Sequence, residues 1–147
     1  MHKNLYSNQS YEQVNIKKYL EEIVRSLQLY TDHYIYTDIE EIMIDMKSAM
    51  NVGLIVNEAV TNAIEHAFDE KPGEIFIELK HIGNRCSLMI KDNGKGFDTE
   101  KRYRSLGLTL IKDLSTTLRN GMVAMDGRKG AIIRIYFDLK EYADDTT

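Results

Sequence analysis

The chain has a single cysteine, Cys86, so no internal disulfide can form. Its place in the apolar run CSLMI reads as a small buried hydrophobe of a protein kept in a reducing compartment, which points to the cytoplasm. Proline is equally scarce, with Pro72 alone. No apolar run approaches the roughly 20 residues that span a bilayer, and the polar opening MHKNLYSNQS shows no secretion-signal pattern, so no membrane contact by this segment is expected. Basic residues do not predominate either: a net charge of -4 disfavours a surface that tracks nucleic-acid phosphates. Three catalytic signatures are missing. There is no G-x-x-x-x-G-K-[ST] segment for a P-loop and no serine nucleophile elbow, and His2, His33, His66 and His81 form no spaced metal cluster with the one cysteine. What remains is 147 residues with 43% hydrophobic content, which suits one domain with a proper core.

In NIKKYLEEIVRSLQLY, Ile16, Tyr19, Leu20, Ile23, Leu27 and Tyr30 recur at spacings of three and four, the buried face of a helix that Asn15 caps. EIMIDM (41–46) alternates like a short strand, and SAMNVGLIVNEAVTNAIEHAF runs on as a long helix opened by Ser48 as cap. Pro72 and Gly73 break it. EIFIELKHI (74–82) and RCSLMIKD (85–92) flank Gly83-Asn84 and read as a hairpin. A glycine-bearing loop leads to the helix SLGLTLIKDLSTTLRN, stopped by Gly121, and the strands GMVAMD and AIIRIYFDLK close the pattern around a turn from Asp126 to Gly130. Helices interleaved with hairpins predict an α+β fold: a two-layer α/β sandwich with a mixed, mostly antiparallel sheet and helices on one face.

Three stretches carry candidate chemistry. On the long helix, Glu58, Thr61, Asn62 and Glu65 share one stripe with His66 at its edge, opposite Val52, Ile55, Val56, Ala59, Val60, Ala63 and Ala67. Such a stripe is either a solvated face or a ligand surface. Asparagine is a poor helix former, and its amide oxygen is a good hard ligand for a magnesium ion that keeps most of its waters. In KDNGKGF, Asp92 ends an apolar strand, and Gly94 and Gly96 let backbone approach a ligand, although Asn-Gly also marks an ordinary turn. In RSLGLTL, Gly107 falls in the first turn of a predicted helix, whose amides suit a phosphate.

Taken together and in this order, E-x-x-x-N-A, D-x-G-x-G and the helix-opening glycine resemble the N, G1 and G2 boxes of the GHKL ATPase superfamily, whose fold is the Bergerat fold. GLIVNEAVTNAIEHAF and SLGLTLIKDL look most like sensor histidine kinases with a short lid, over about Val14 to Leu139. The resemblance implies an ATP-binding catalytic domain that transfers the γ-phosphoryl of Mg-ATP to a histidine. Asn62 would ligate Mg2+, and Glu58 would stand where the gyrase-type ATPases orient or deprotonate the attacking water. Asp92 would accept a hydrogen bond from the adenine amino group, with Gly94 and Gly96 close to the base and His66 bordering the nucleoside. Gly107 and the amides after it, Leu108 first, would receive the phosphates, with Ser105 where the family usually has another glycine. Glu65 stands where a basic residue is frequent, and the lid DTEKRYR is short.

The resemblance also implies a division of the chain. Residues 1–14 would be a remnant of an upstream dimerisation helix or linker, 15–140 the catalytic domain and 141–147 a tail. The phosphoacceptor histidine would sit in a dimerisation domain of the same full-length protein, His2 lying too late to be it, and a response regulator would act downstream. His66 and His81 are expected on elements in or under the nucleotide site. The alternative is a stand-alone anti-sigma factor and serine kinase of the same fold, which carries a phrase close to NEAVTNAI.

Overall fold

The computed structural model describes residues 12–68, 72–95 and 108–139. A short strand β1 (Gln13–Asn15) leads into α1 (Ile16–Gln28); β2 (Tyr34–Ile39) and β3 (Met43–Asp45) precede the long helix α2 (Met46–His66). The hairpin β4 (Glu74–Ile82) and β5 (Arg85–Asp92) follows, then α3 (Leu108–Thr116) and the hairpin β6 (Met122–Asp126) and β7 (Ile132–Asp138).

The main sheet has five strands in the order β2-β4-β5-β7-β6, and β1 pairs separately with β3. Only β2 with β4 is parallel, Tyr34 opposite Glu74 through Ile39 opposite Leu79; the other pairings are antiparallel. Alternation dictates the layers. Ile75, Ile77 and Leu79, Cys86, Leu88 and Ile90, and Ile133, Ile135 and Phe137 all point to one face and are buried. Against them lie Ile16, Leu20 and Val24 of α1, the apolar stripe of α2, and Leu108 and Ile111 of α3. The expected two-layer sandwich with a mixed, mostly antiparallel sheet is the observed architecture.

Several local features depart from the sequence reading. The long helix begins at Met46, capped by Asp45, whose Oδ2 accepts the Ser48 amide at 3.1 Å. Ser48 is therefore the donor in the first turn and not the cap. Asn15 does cap α1, accepting from the Lys18 amide at 3.2 Å, but α1 stops at Gln28 and leaves Tyr30 85% exposed. The Gln28 side chain bridges to the next strand, donating to the His33 carbonyl at 2.6 Å and accepting from the Ile35 amide at 3.1 Å. Neither β1 nor β2 stands out in the sequence. β2 is an edge strand that fully buries Ile39 alone, so its alternation is too weak to read.

Cys86 is 1% exposed, and burial first of all pushes its thiol up to about 11. At pH 8 the native thiol is thus protonated and covered. Iodoacetamide at pH 8 should label Cys86 at least tenfold more slowly in the native chain than in urea, as followed by mass spectrometry; equal rates would place Cys86 outside the core.

Candidate functional site

α2 divides as its periodicity requires. Val52, Ile55, Val56, Ala59, Val60, Ala63 and Ala67 are all buried against the sheet. Glu58, Thr61, Asn62 and His66 are half-buried along the outer side, and Glu65 is exposed, with Oε1 3.6 Å from His66 Nε2. Asn62 differs from its neighbours: its Nδ2 is buried with no hydrogen-bond partner among the described residues, while no such deficit falls on its Oδ1. A buried amide nitrogen left unsatisfied costs roughly 1–3 kcal/mol.

The second candidate stretch is not a hairpin turn. β5 ends at Asp92, which is 4% exposed and pairs with Ile75 on β4. Its Oδ1 accepts two backbone amides, from Gly94 at 2.8 Å and from Ala131 at 3.2 Å. Asn93 clamps the start of β4, its Oδ1 accepting the Glu74 amide at 2.8 Å and its Nδ2 donating to Glu74 Oε1 at 3.2 Å.

The two stretches meet at the end of α2. The Ala67 carbonyl, left open at the helix C-terminus, accepts the Lys95 amide at 2.9 Å. Between them Gly94 lies so close that a Cβ there would sit 2.2 Å from the Ala67 carbonyl oxygen. Asp92 is thereby held beside the last turns of the helix that carries Asn62 and His66. Glu58 lies one turn before Asn62 on the same helix. α3 starts at Leu108, 3% exposed, and its far end joins the first half of α2 where Asn51 Nδ2 donates to Thr117 Oγ1 at 2.9 Å. Gly96, Ser105, Gly107 and the lid lie outside the described residues.

β4 does run past Asp92, but its His81 stands at the far end. His81 pairs with Cys86 near the turn end of β4, whereas Asp92 faces Ile75 at the other end. At about 3.3 Å per residue the two are roughly 20 Å apart along the strand. His81 instead donates its amide to Glu40 Oε1 at 2.8 Å, and backbone and side-chain hydrogen bonds from His81 hold the Glu40 carboxyl below its ordinary range. Sequence reasoning also passed over Ala131 and Gly130, which back Asp92 from the β6–β7 turn and carry no local signal of that role.

Among the described residues no group of three or more His, Cys, Asp or Glu side chains could hold a metal ion. A magnesium ion here would take the Asn62 oxygen and draw its other oxygens from phosphates and water. The buried Nδ2 fits that arrangement, in which Oδ1 is the carboxamide atom an ion would take.

The family model of the histidine kinase-like ATPase domain matches residues 30–137. The serine-protein kinase RsbW of Bacillus thuringiensis (strain Al Hakam) is 39% identical over 74 residues, 50% of this chain and 40% of that protein. The signal transduction histidine-protein kinase/phosphatase DegS of Bacillus subtilis (strain 168) is 38% identical over 80 residues, 52% of this chain and 20% of that protein. The chain thus spans less than half the length of either relative. Among solved structures, the histidine kinase domain from the Erythrobacter litoralis EL346 blue-light activated histidine kinase aligns with a TM-score of 0.76 at 20% identity, covering 86% of this chain and 62% of that one.

Two stability tests follow from the geometry. Asn62→Ala removes an unsatisfied polar group outside the core, so its melting temperature should equal or exceed that of the unaltered chain. A melting temperature lowered by the equivalent of more than about 1 kcal/mol would show that the carboxamide is structurally satisfied. Gly94→Ala should destabilise by about 1–3 kcal/mol in urea titration, because the new methyl meets backbone that cannot swing away.

Proposed function

This chain belongs to the family of histidine kinase-like ATPase domains, and we propose that it binds Mg-ATP and presents the γ-phosphate to a nucleophile carried elsewhere. The observation that supports the reading is the junction at Ala67, which sets the end of α2, the helix of Asn62, against the loop after Asp92 although thirty positions separate the two residues in the chain.

The roles we assign rest on the family resemblance. Asp92, held by two amides, accepts a hydrogen bond from the adenine amino group; guanine presents a carbonyl there and sets acceptor against acceptor. His66 borders the nucleoside at the C-terminal end of α2. Asn62 offers its oxygen to Mg2+, which when bound neutralises phosphate charge. Glu58, one turn earlier, orients the incoming nucleophile or takes its proton. By the family resemblance, Gly94 and Gly96 would let backbone approach the base, and Ser105, Gly107 and Leu108 would receive the phosphates. Positioning and charge neutralisation supply most of what phosphoryl transfer needs, so a separate segment can bring the acceptor.

We read the acceptor as a histidine of a dimerisation domain in the same full-length protein, with the phosphoryl passing on to a response regulator in the cytoplasm. DegS, a histidine-protein kinase/phosphatase, supports this. A serine acceptor on a partner protein, as in the anti-sigma type of serine kinase, is the second reading, and the 39% identity to RsbW favours it.

Calorimetry tests the site. Asn62→Ala should lose Mg2+-dependent ATP affinity, and Asp92→Asn should weaken ATP at least tenfold, as loss of a charge-assisted bond worth roughly 1.5–3 kcal/mol requires. Unchanged affinity in either variant sinks the corresponding role. Radiolabel from ATP separates the two acceptors when the chain is supplied with the partner segment: an acid-labile, base-stable label is phosphohistidine, and an acid-stable label is phosphoserine.

A further inference from the structure

We propose that Gly130 is a positioning residue for purine selection: the β6–β7 turn, through the close approach of Gly130 and the amide of Ala131, sets the orientation of the Asp92 carboxylate. The inference deepens the assignment of Asp92 to adenine and rests on it.

Gly130 has φ of 76°, in the left-handed region, and a Cβ built on it would lie 2.3 Å from the Asp92 carbonyl oxygen. No side chain fits without moving the end of β5. The next residue makes a reciprocal pair with Asp92. Ala131 donates its N–H to Asp92 Oδ1 at 3.2 Å and accepts the Asp92 amide on its carbonyl at 3.0 Å. With the Gly94 amide on the same oxygen, two donors fix the rotation of the carboxylate, one from each side of the strand end. The turn is braced in its own right. The Arg128 amide and guanidinium donate to the Asp126 carboxylate at 3.0 Å each, on Oδ1 and Oδ2, and hold its carboxyl down at about 2, so the brace persists at any physiological pH.

A carboxylate that must meet an amino group and reject a carbonyl depends on angle as well as presence. The turn therefore acts on the choice of base through its backbone.

Inosine triphosphate isolates the contact, because it differs from ATP only in carrying a 6-oxo group and a ring N–H. ATP and inosine triphosphate affinities should be measured by calorimetry on the unaltered chain, Gly130→Ala, Gly130→Asn and Gly83→Ala. Gly83 also has positive φ, at 58°, but open space around it, so Gly83→Ala carries the backbone strain without the contact. Asparagine tolerates left-handed φ, so Gly130→Asn keeps the contact while relieving strain. Both Gly130 variants should bind ATP at least tenfold more weakly and lose most of the preference over inosine triphosphate; Gly83→Ala should keep both. Replacing the Ala131 amide by an ester, which deletes only the N–H, should reduce the preference without the steric effect, and this arm decides if the Gly130 variants do not fold. A folded Gly130→Asn or ester chain with undiminished preference overturns the inference while leaving Asp92 its role. An unaltered chain that does not prefer ATP overturns the adenine reading itself.

Discussion

The bond from the Lys95 amide to the Ala67 carbonyl, 2.9 Å long, holds the site together. It uses an acceptor that α2 leaves open at its C-terminus and so adds a contact without breaking a helical one. Its length leaves no room for a side chain at residue 94, which is why glycine stands there. The same loop passes Asp92, and the Gly94 amide that points back to Oδ1 helps keep a buried carboxylate in hydrogen bonds. One backbone junction therefore fixes helix, loop and acid relative to one another before any ligand arrives, and such preorganisation is what electrostatic catalysis and selective binding require.

The layers divide the work. The sheet and the apolar side of α2 form a dry core from Ile, Leu, Val and Ala, and nothing in that core is asked to do chemistry. Polar exceptions gather at the ends of elements. Asp45 caps α2, Asp92 terminates β5, and Asn62, a turn before the end of α2, has a buried nitrogen without a partner among the described residues. The first contributes helix stability, the second is satisfied by backbone, and the third is a cost of the kind found where function and stability pull apart.

Much of this was legible in the residues. The β4–β5 hairpin was read to its residue limits because alternation on both sides of Gly83-Asn84 fixes register. The buried face of α2 was read residue by residue because a helix repeats its environment every turn. β2 was not, since an edge strand with one fully buried side chain has no pattern to show. The cap of α2 was misplaced by three positions because Asp45 and Ser48 are both good caps, and the choice depends on where β3 ends. Asn62, Asp92 and Gly94 announced themselves through spacing and resemblance. Gly130 and Ala131 did not, because they reach Asp92 across the β5–β7 pairing, and no local sequence pattern encodes that.

Backbone and side-chain amide resonances offer the most direct view of whether the junction is a nucleotide site. Mg-ATP titrated into the isotope-labelled chain should shift the Asn62 carboxamide together with the backbone amides of Gly94, Lys95 and Ala131, while ATP with excess chelator should shift the three amides and leave the Asn62 carboxamide in place. Perturbation confined to the uncovered face of the sheet, or a carboxamide indifferent to the metal, would contradict the account.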